Sequence, residues 1–202
     1  MISGEVVLAS GNAGKLRELR DILKPNDIIL RSQAEFDVKS CAETGLTFVE
    51  NALLKAQNAS RHTGLPAIAD DSGIAVAALY GAPGIYSARY AGSNASDEQN
   101  LQKLVADFRA TGDETGSCRF ICLIVFIEHE KDPLPKIFEG TWEGKLISTP
   151  RGDNGFGYDP IFWVPEENCT SAQLSSEKKN QISHRAKALA QLSDYLRRAN
   201  KA

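Results

Sequence analysis

The chain has 202 residues, enough to bury a sizeable core as a single domain over residues 1–202. Apolar content of 42% and charged content of 24% are those of an ordinary globular protein. The net charge of −3 argues against a nucleic-acid partner held by broad phosphate neutralisation, but leaves room for a small polyanion on a local Lys/Arg cluster. Cys41, Cys118, Cys122 and Cys169 show no C-x-x-C pair and no zinc spacing, and Cys118 and Cys122 read as buried thiols on one strand face. The N-terminus has no basic stretch followed by an apolar one, and no window approaches about 18 uninterrupted apolar residues. The expectation is a reduced, cytoplasmic protein with no membrane partner.

Residues 5–9 (EVVLA) form a β-type run. Ser10, Gly11, Asn12, Ala13, Gly14 and Lys15 follow, and then Leu16, Leu19 and Leu23 at helical spacing. This predicts strand, glycine-rich turn, helix. N–H groups at such a helix start, with Lys15 beside them, suit a phosphate, although the spacing is not that of a Walker A loop. A plain strand-to-helix connection with a solvated lysine is the alternative. Residues 28–31 predict a second strand, and the polar loop 40–45 carries Glu43. Residues 47–50 (TFVE) match a capping box, so a helix is predicted from near Thr47 to about His62. Val49, Ala52, Leu53 and Ala56 form one of its faces, while Asn51 and Lys55 share another. Glu50 is accounted for as the capping acid. Glu43 has no such account and is either solvated or functional.

Residues 67–76 (AIADDSGIAV) predict a strand, a tight turn at Asp70, Asp71, Ser72 and Gly73, and a second strand to about Leu79. Asp, Ser and Gly are ordinary turn formers; the other reading is a carboxylate pair holding a cation. The 81–90 segment is a Gly/Pro-shaped loop with Arg89 and Tyr90, and Ser96 to Gln99 is a second capping box ahead of Leu101, Leu104, Val105 and Phe108. Residues 111–117 form a link, 120–127 (FICLIVFI) a strand covered on both faces, and 137–142 its hairpin partner, prolonged by 145–148. Residues 152–160 (GDNGFGYDP) combine three glycines, two aromatics and two acids, which makes a binding loop or a surface loop with Phe156 tucked inward. Lys178, Lys179, His184 and Arg185 gather at a helix start, with Ile182, Ala186, Leu189, Leu192 and Leu196 as the buried face. Such a charge run reads as a solvated face; the other reading, from Arg185 beside His184 near the helix start where cations are poorly placed, is an anionic or acceptor-rich ligand.

An acidic cluster, a phosphate-type turn, an aromatic glycine loop and a cationic helix start are the parts of a magnesium-dependent nucleotide hydrolase. Five segments carry a closer likeness: SGNAGK at 10–15, ADDSG at 69–73, GAPGIYSARY at 81–90, GFGYDP at 155–160 and SHR at 183–185. In this order they resemble the inosine triphosphate pyrophosphatase family over nearly the whole chain, its bacterial members most closely. The resemblance implies an α/β fold with a long central mixed sheet flanked by helices, two lobes with an active-site cleft between them, and a homodimer. It implies hydrolysis of a non-canonical purine nucleoside triphosphate (ITP, dITP, XTP) to the monophosphate and pyrophosphate with Mg²⁺.

Carried over by position, the family pattern makes Asp71 the general base and a metal contact, and Glu43 the metal-associated acid. Ser10, Gly11, Asn12, Ala13, Gly14, Lys15 and Ser72 match triphosphate and sugar contacts, with Lys55 and Lys179 as further phosphate donors. Phe156, Gly157, Tyr158, Asp159, His184 and Arg185 match the segments that hold the purine. Asp153 and Asn154 depart from the smaller or less charged residues expected ahead of that loop. Base choice would follow from hydrogen-bond polarity: backbone N–H groups and Arg185 facing a 6-oxo acceptor are mismatched by the 6-amino group of adenine. Two rivals stand beside this reading. A Maf-like pyrophosphatase for modified pyrimidine nucleotides would lack the GFGYD and SHR segments, and a non-hydrolysing nucleotide sensor would not need Asp71, Glu43 and Lys15.

Overall fold

The computed structural model describes residues 4–10, 16, 19, 20, 28–114 and 116–199. Among these, seven strands form one mixed sheet in the order β2-β1-β3-β4-β5-β6-β7. They are β1 (Gly4–Leu8), β2 (Ile28–Ser32), β3 (Ala67–Val76), β4 (Ser117–Ile127), β5 (Lys136–Leu146), β6 (Phe162–Val164) and β7 (Cys169–Thr170). β1 pairs in parallel with β2 (Gly4↔Ile28 to Leu8↔Ser32) and with β3 (Val7↔Ala67). β6 runs antiparallel to β5 (Leu146↔Phe162) and to β7 (Val164↔Cys169). The helices are α1 (Phe48–Thr63), α2 (Asp97–Thr111), α3 (Ser176–Ile182) and α4 (His184–Ala199). The α/β class and the mixed sheet flanked by helices expected from the sequence are therefore present.

Two compact units divide the chain. The first comprises Met1–Asp71, Cys122–Glu139 and Ala188–Ala202. Its sheet is covered on both faces, and strand parity decides which residue meets which helix. Val6, Leu8, Ile124 and Phe126 pack with Ala188, Leu189, Leu192 and Leu196 of α4. Their neighbours Val7, Val125 and Ile127 pack instead with Ala52, Ala56 and Ala59 of α1. An alanine face lets α1 lie close to the sheet, which matters below because Lys55 is on this helix. The second unit comprises Ser72–Ile121 and Gly140–Lys187. Leu101, Leu104, Val105 and Phe108 of α2 form its core with Ile74, Val76, Phe120, Trp142 and Phe162.

Several sequence expectations need correction. The turn predicted at Asp70–Gly73 is absent: β3 is one continuous strand of 10 residues, buried almost throughout. β1 pairs with its first residues (Val7↔Ala67, Leu8↔Ile68) and β4 is its other neighbour in the sheet, so tertiary pairing overrides the local turn preference of Asp, Ser and Gly. The strand also stops at Val76, and Ala77–Leu79 turns as 3-10 helix. The single C-terminal helix is two helices, broken at Ser183 with extended backbone (φ −68, ψ 162). Ala188 takes the buried place expected for Ala186, and Ile182 packs in the second unit. Strands β6 and β7 carry too few residues for a periodic signal and were not anticipated.

The capping box at Ser96 is complete: Ser96 Oγ accepts from Gln99 N–H at 3.2 Å and Gln99 Oε1 accepts from Ser96 N–H at 2.8 Å. The glycine-rich turn at 11–15 lies outside the described residues, as does most of the helix predicted after it; Leu16, Leu19 and Arg20 are helical.

Gly144 of β5 faces Phe162 so closely that a Cβ there would sit 2.5 Å from its Cζ and 2.7 Å from the Trp163 carbonyl oxygen. Backbone cannot give way as a flexible side chain does. Gly144→Ala is expected to lower stability by about 1–3 kcal/mol, read as a lower urea midpoint at unchanged m-value.

Candidate active site

The first group of site residues is built at the start of α1. Thr47 caps the helix, accepting from Glu50 N–H at 3.3 Å. The Glu50 carboxylate reaches back to Leu46 N–H at 2.8 Å and to the Thr47 hydroxyl at 2.9 Å. Glu50 is thus a capping acid, as its position suggested, though it grips one residue further back than a standard box. One residue on, Asn51 Oδ1 accepts from Gly45 N–H at 2.9 Å and lays the Glu43 loop against the helix. Only glycine fits there, since a Cβ on Gly45 would lie 2.6 Å from that of Glu50.

This arrangement brings Glu43, Lys55 and Asp71 together. Lys55 Nζ donates to Glu43 Oε1 at 3.1 Å and to Asp71 Oδ1 at 2.8 Å. Asp71 is buried, and its Oδ2 has no hydrogen-bond partner among the described residues. Burial pushes the Asp71 carboxyl above its ordinary range against the pull of Lys55, and the charges of Glu43 and Asp70 push it further. Burial opposes the charge on Lys55 as well, but Asp71, Asp70 and Glu43 together hold its ammonium protonated more firmly than in water. Three carboxylates against one ammonium leave a surplus of negative charge in a half-dry place. Beside it opens a recess of about 210 Å³, whose lining includes Ser10, Gln33, Cys41, Glu43, Lys55 and Asp70.

The second group lies on the 155–159 loop and the helices around it. Gly155 and Gly157 have φ of +79° and +61°, a conformation that glycine adopts without strain, and a Cβ on Gly155 would collide with Asp159 Oδ2. Phe156 between them is 58% exposed, with Lys179 Nζ 5.3 Å above its ring. Asp159 is only 2% exposed, and both its oxygens are engaged. Oδ2 accepts from Phe156 N–H and Lys179 Nζ, and Oδ1 from Ser171 Oγ at 2.8 Å. Gly157 N–H donates to Asp97 Oδ2 at 3.1 Å, and the buried Tyr158 hydroxyl to the Ser87 carbonyl at 2.7 Å. His184 opens α4 with its ring stacked on Phe120 (4.8 Å between centroids) and on Trp142 (6.5 Å).

The sequence-predicted residues therefore fall into two sets. Glu43, Lys55 and Asp71 meet in the first unit, where Ser10 lines the recess. Phe156, Gly157, Tyr158, Asp159 and Lys179 form one network in the second, with His184 buried and Arg185 and Ser72 half-buried. Gly11, Asn12, Ala13, Gly14 and Lys15 lie outside the described residues. Lys179, expected as a phosphate donor, spends its ammonium on Asp159 and Phe156. The N–H groups of Phe156 and Gly157, expected to face a base edge, are used inside the protein. Sequence reasoning missed the supports of this network: Ser87, Asp97, Phe120, Trp142 and Ser171. They come from separate segments and leave no local pattern, although Ser87 lies within the 81–90 motif.

A family model described as the Ham1 family matches residues 6–195 of the chain. Over 188 residues the chain is 55% identical to the dITP/XTP pyrophosphatase of Vibrio cholerae, covering 93% of this chain and 94% of that one. The protein of the same name from Photobacterium profundum is 53% identical, over 93% of this chain and 95% of its own length. A HAM1 protein from Coxiella burnetii has the same fold, with a TM-score of 0.94 at 50% identity, over 96% of this chain and 98% of that one. The family model, the relatives and the solved structure agree, and the chain belongs to the Ham1 family.

Proposed function

We propose that this protein hydrolyses non-canonical purine nucleoside triphosphates, ITP, dITP and XTP, to the monophosphate and pyrophosphate, with Mg²⁺, as a cytoplasmic homodimer. The observation that carries the reaction is Asp71: a buried carboxylate with one oxygen held by Lys55 and the other without a hydrogen-bond partner among the described residues. Relatives more than half identical are named dITP/XTP pyrophosphatase, which supports the substrate class.

The residues present fit a magnesium ion. Glu43, Asp70 and Asp71 are hard oxygen donors with surplus negative charge, and Asp71 Oδ2 is buried without a hydrogen-bond partner among the described residues. No three acidic, His or Cys side chains converge as a complete cage among the described residues. Mg²⁺ needs none, since it is commonly bound by one or two carboxylates together with substrate phosphates and water. Glu43 and Asp71 would hold it, and when bound it supplies Lewis acidity and charge neutralisation at the phosphates.

The chain's own groups do the rest. Asp71 accepts the proton of the attacking water through Oδ2. Lys55 holds the opposite oxygen, fixing the carboxylate's orientation, and presents a cation to the triphosphate. Lys15 and the 10–15 turn add phosphate donors. Phe156 offers an exposed face for the purine, and Lys179 above that ring favours a flat, acceptor-rich base. With the Phe156 and Gly157 N–H groups engaged elsewhere, Arg185 is the side chain assigned to the 6-oxo group. A 6-amino purine sets donor against donor there.

Pyrophosphate release should be strong with ITP and XTP and at least about a hundredfold lower in kcat/KM with ATP. Asp71→Asn should lose about 10²–10⁴-fold in kcat with ITP while still binding it. Equal turnover of ATP, or full activity in the Asp71→Asn variant, would refute the assignment. Chelation of divalent ions should abolish turnover and added Mg²⁺ restore it; activity that persists in excess EDTA would remove the metal from the reading.

The pH dependence follows from Asp71 as the base. A base must be deprotonated, so kcat/KM rises with pH along an acid limb that Asp71 sets. The limb should vanish in Asp71→Asn. A profile flat from about pH 4 to 9 would exclude Asp71 as the titrating base.

A further inference from the structure

Resting on the purine-binding role assigned to the loop around Phe156, we propose that Ser87 is a positioning residue that sets where this loop stands. Ser87 lies in the 81–90 segment, which the chemistry above leaves unused, and it is 7% exposed. Its hydroxyl and carbonyl are spent on three different partners. The hydroxyl accepts from Ile74 N–H at 3.0 Å and donates to the Gly84 carbonyl at 2.6 Å. The carbonyl accepts from the Tyr158 hydroxyl at 2.7 Å. Ser87 thus ties the loop to β3 at Ile74, three residues along the same strand from Asp71.

The two ends of this tie differ in stiffness. The segment around Ser87 is pinned to α2: Asn100 donates to the Ala88 carbonyl at 3.2 Å and accepts from Ala91 N–H at 2.8 Å. Tyr90 donates to Asp107 at 2.6 Å, and Lys103 holds the same carboxylate at 2.8 Å. The purine loop has no comparable rigidity of its own, because left-handed glycines flank Phe156 on both sides. Its anchors are the Asp159 network, the Asp97 contact to Gly157 and the Tyr158 hydroxyl. Tyr158 is the one of these whose side chain is buried in the apolar core beside Ile74 and Phe162. Burial pushes its hydroxyl far up, so it remains a donor at any working pH. Position is therefore passed from α2 through Ser87 to Tyr158, and from there to Phe156 two residues earlier.

The test compares wild type, Ser87→Ala, Tyr158→Phe and the double variant, by calorimetric binding of inosine monophosphate and, separately, of pyrophosphate. Each single variant is expected to bind the monophosphate about 5–10-fold more weakly, with pyrophosphate affinity within about twofold. The double variant should lose little more than either single, because Ser87→Ala removes the hydroxyl link to Ile74 and Gly84 and Tyr158→Phe removes the link to the Ser87 carbonyl, two links in series of one tie. In turnover, KM for ITP should rise more than kcat falls. Unchanged monophosphate binding in the variants would overturn the proposal. So would parallel loss of both ligands with a lower melting temperature, the mark of a purely structural residue. Should Ser87→Ala fail to fold, Tyr158→Phe alone carries the comparison, since it removes one hydroxyl and keeps the ring. Wild-type protein that binds neither ligand would overturn the purine-site reading itself, an outcome distinct from the others.

Discussion

A strand in the middle of a sheet is a costly place for two adjacent aspartates, and the ammonium of Lys55 is what makes it tenable. Without a cation between Glu43 and Asp71, burial would drive protons onto the carboxylates and leave a neutral, inert cluster. With it, the site retains negative charge where water is scarce. Such a pair contributes little net stability, because desolvation consumes most of the Coulombic gain. What it fixes is geometry: one oxygen of Asp71 is held by Lys55, and the other has no hydrogen-bond partner among the described residues.

Placing that ammonium depends on ordinary packing. Alanines at 52, 56 and 59 bring α1 close to the sheet, and residue 55 then falls on the flank of the helix towards the acids. Thr47 and Glu50 define where the helix begins, and Asn51 ties the Glu43 loop to its first turn. The site in the first unit is therefore a consequence of helix capping and a small-residue face, with no element devoted to catalysis alone.

The second unit solves a different problem. The 155–159 loop takes its shape from glycines, and glycines bring conformational freedom that blurs position. Here the freedom is removed by side chains from outside the loop and by the Ser87 carbonyl: Asp97 at the start of α2, Ser171 after β7, Lys179 in α3 and Ser87 before α2. Asp159 spends both oxygens inside the protein for the same purpose. The loop is made permissive by its own sequence and specific by its neighbours.

Much of this was legible in the residues. The capping boxes at Thr47 and Ser96, the apolar run of β4 and the helix faces follow from local periodicity or spacing, and the five motifs carry the resemblance to a known family. Local signals also misled, as at Asp70–Gly73, where turn-forming residues lie inside a continuous strand of the sheet. The sequence by itself determined the class of fold, the family and the residue types able to do the chemistry, since these are carried by short motifs and their order along the chain. Only the tertiary structure decided which groups meet: Lys55 with Glu43 and Asp71, Lys179 with Asp159, Tyr158 with Ser87. Those pairings join residues 12, 16, 20 and 71 positions apart. No local propensity encodes them, because each exists only once the packed helices and sheet have brought the partners within hydrogen-bond reach.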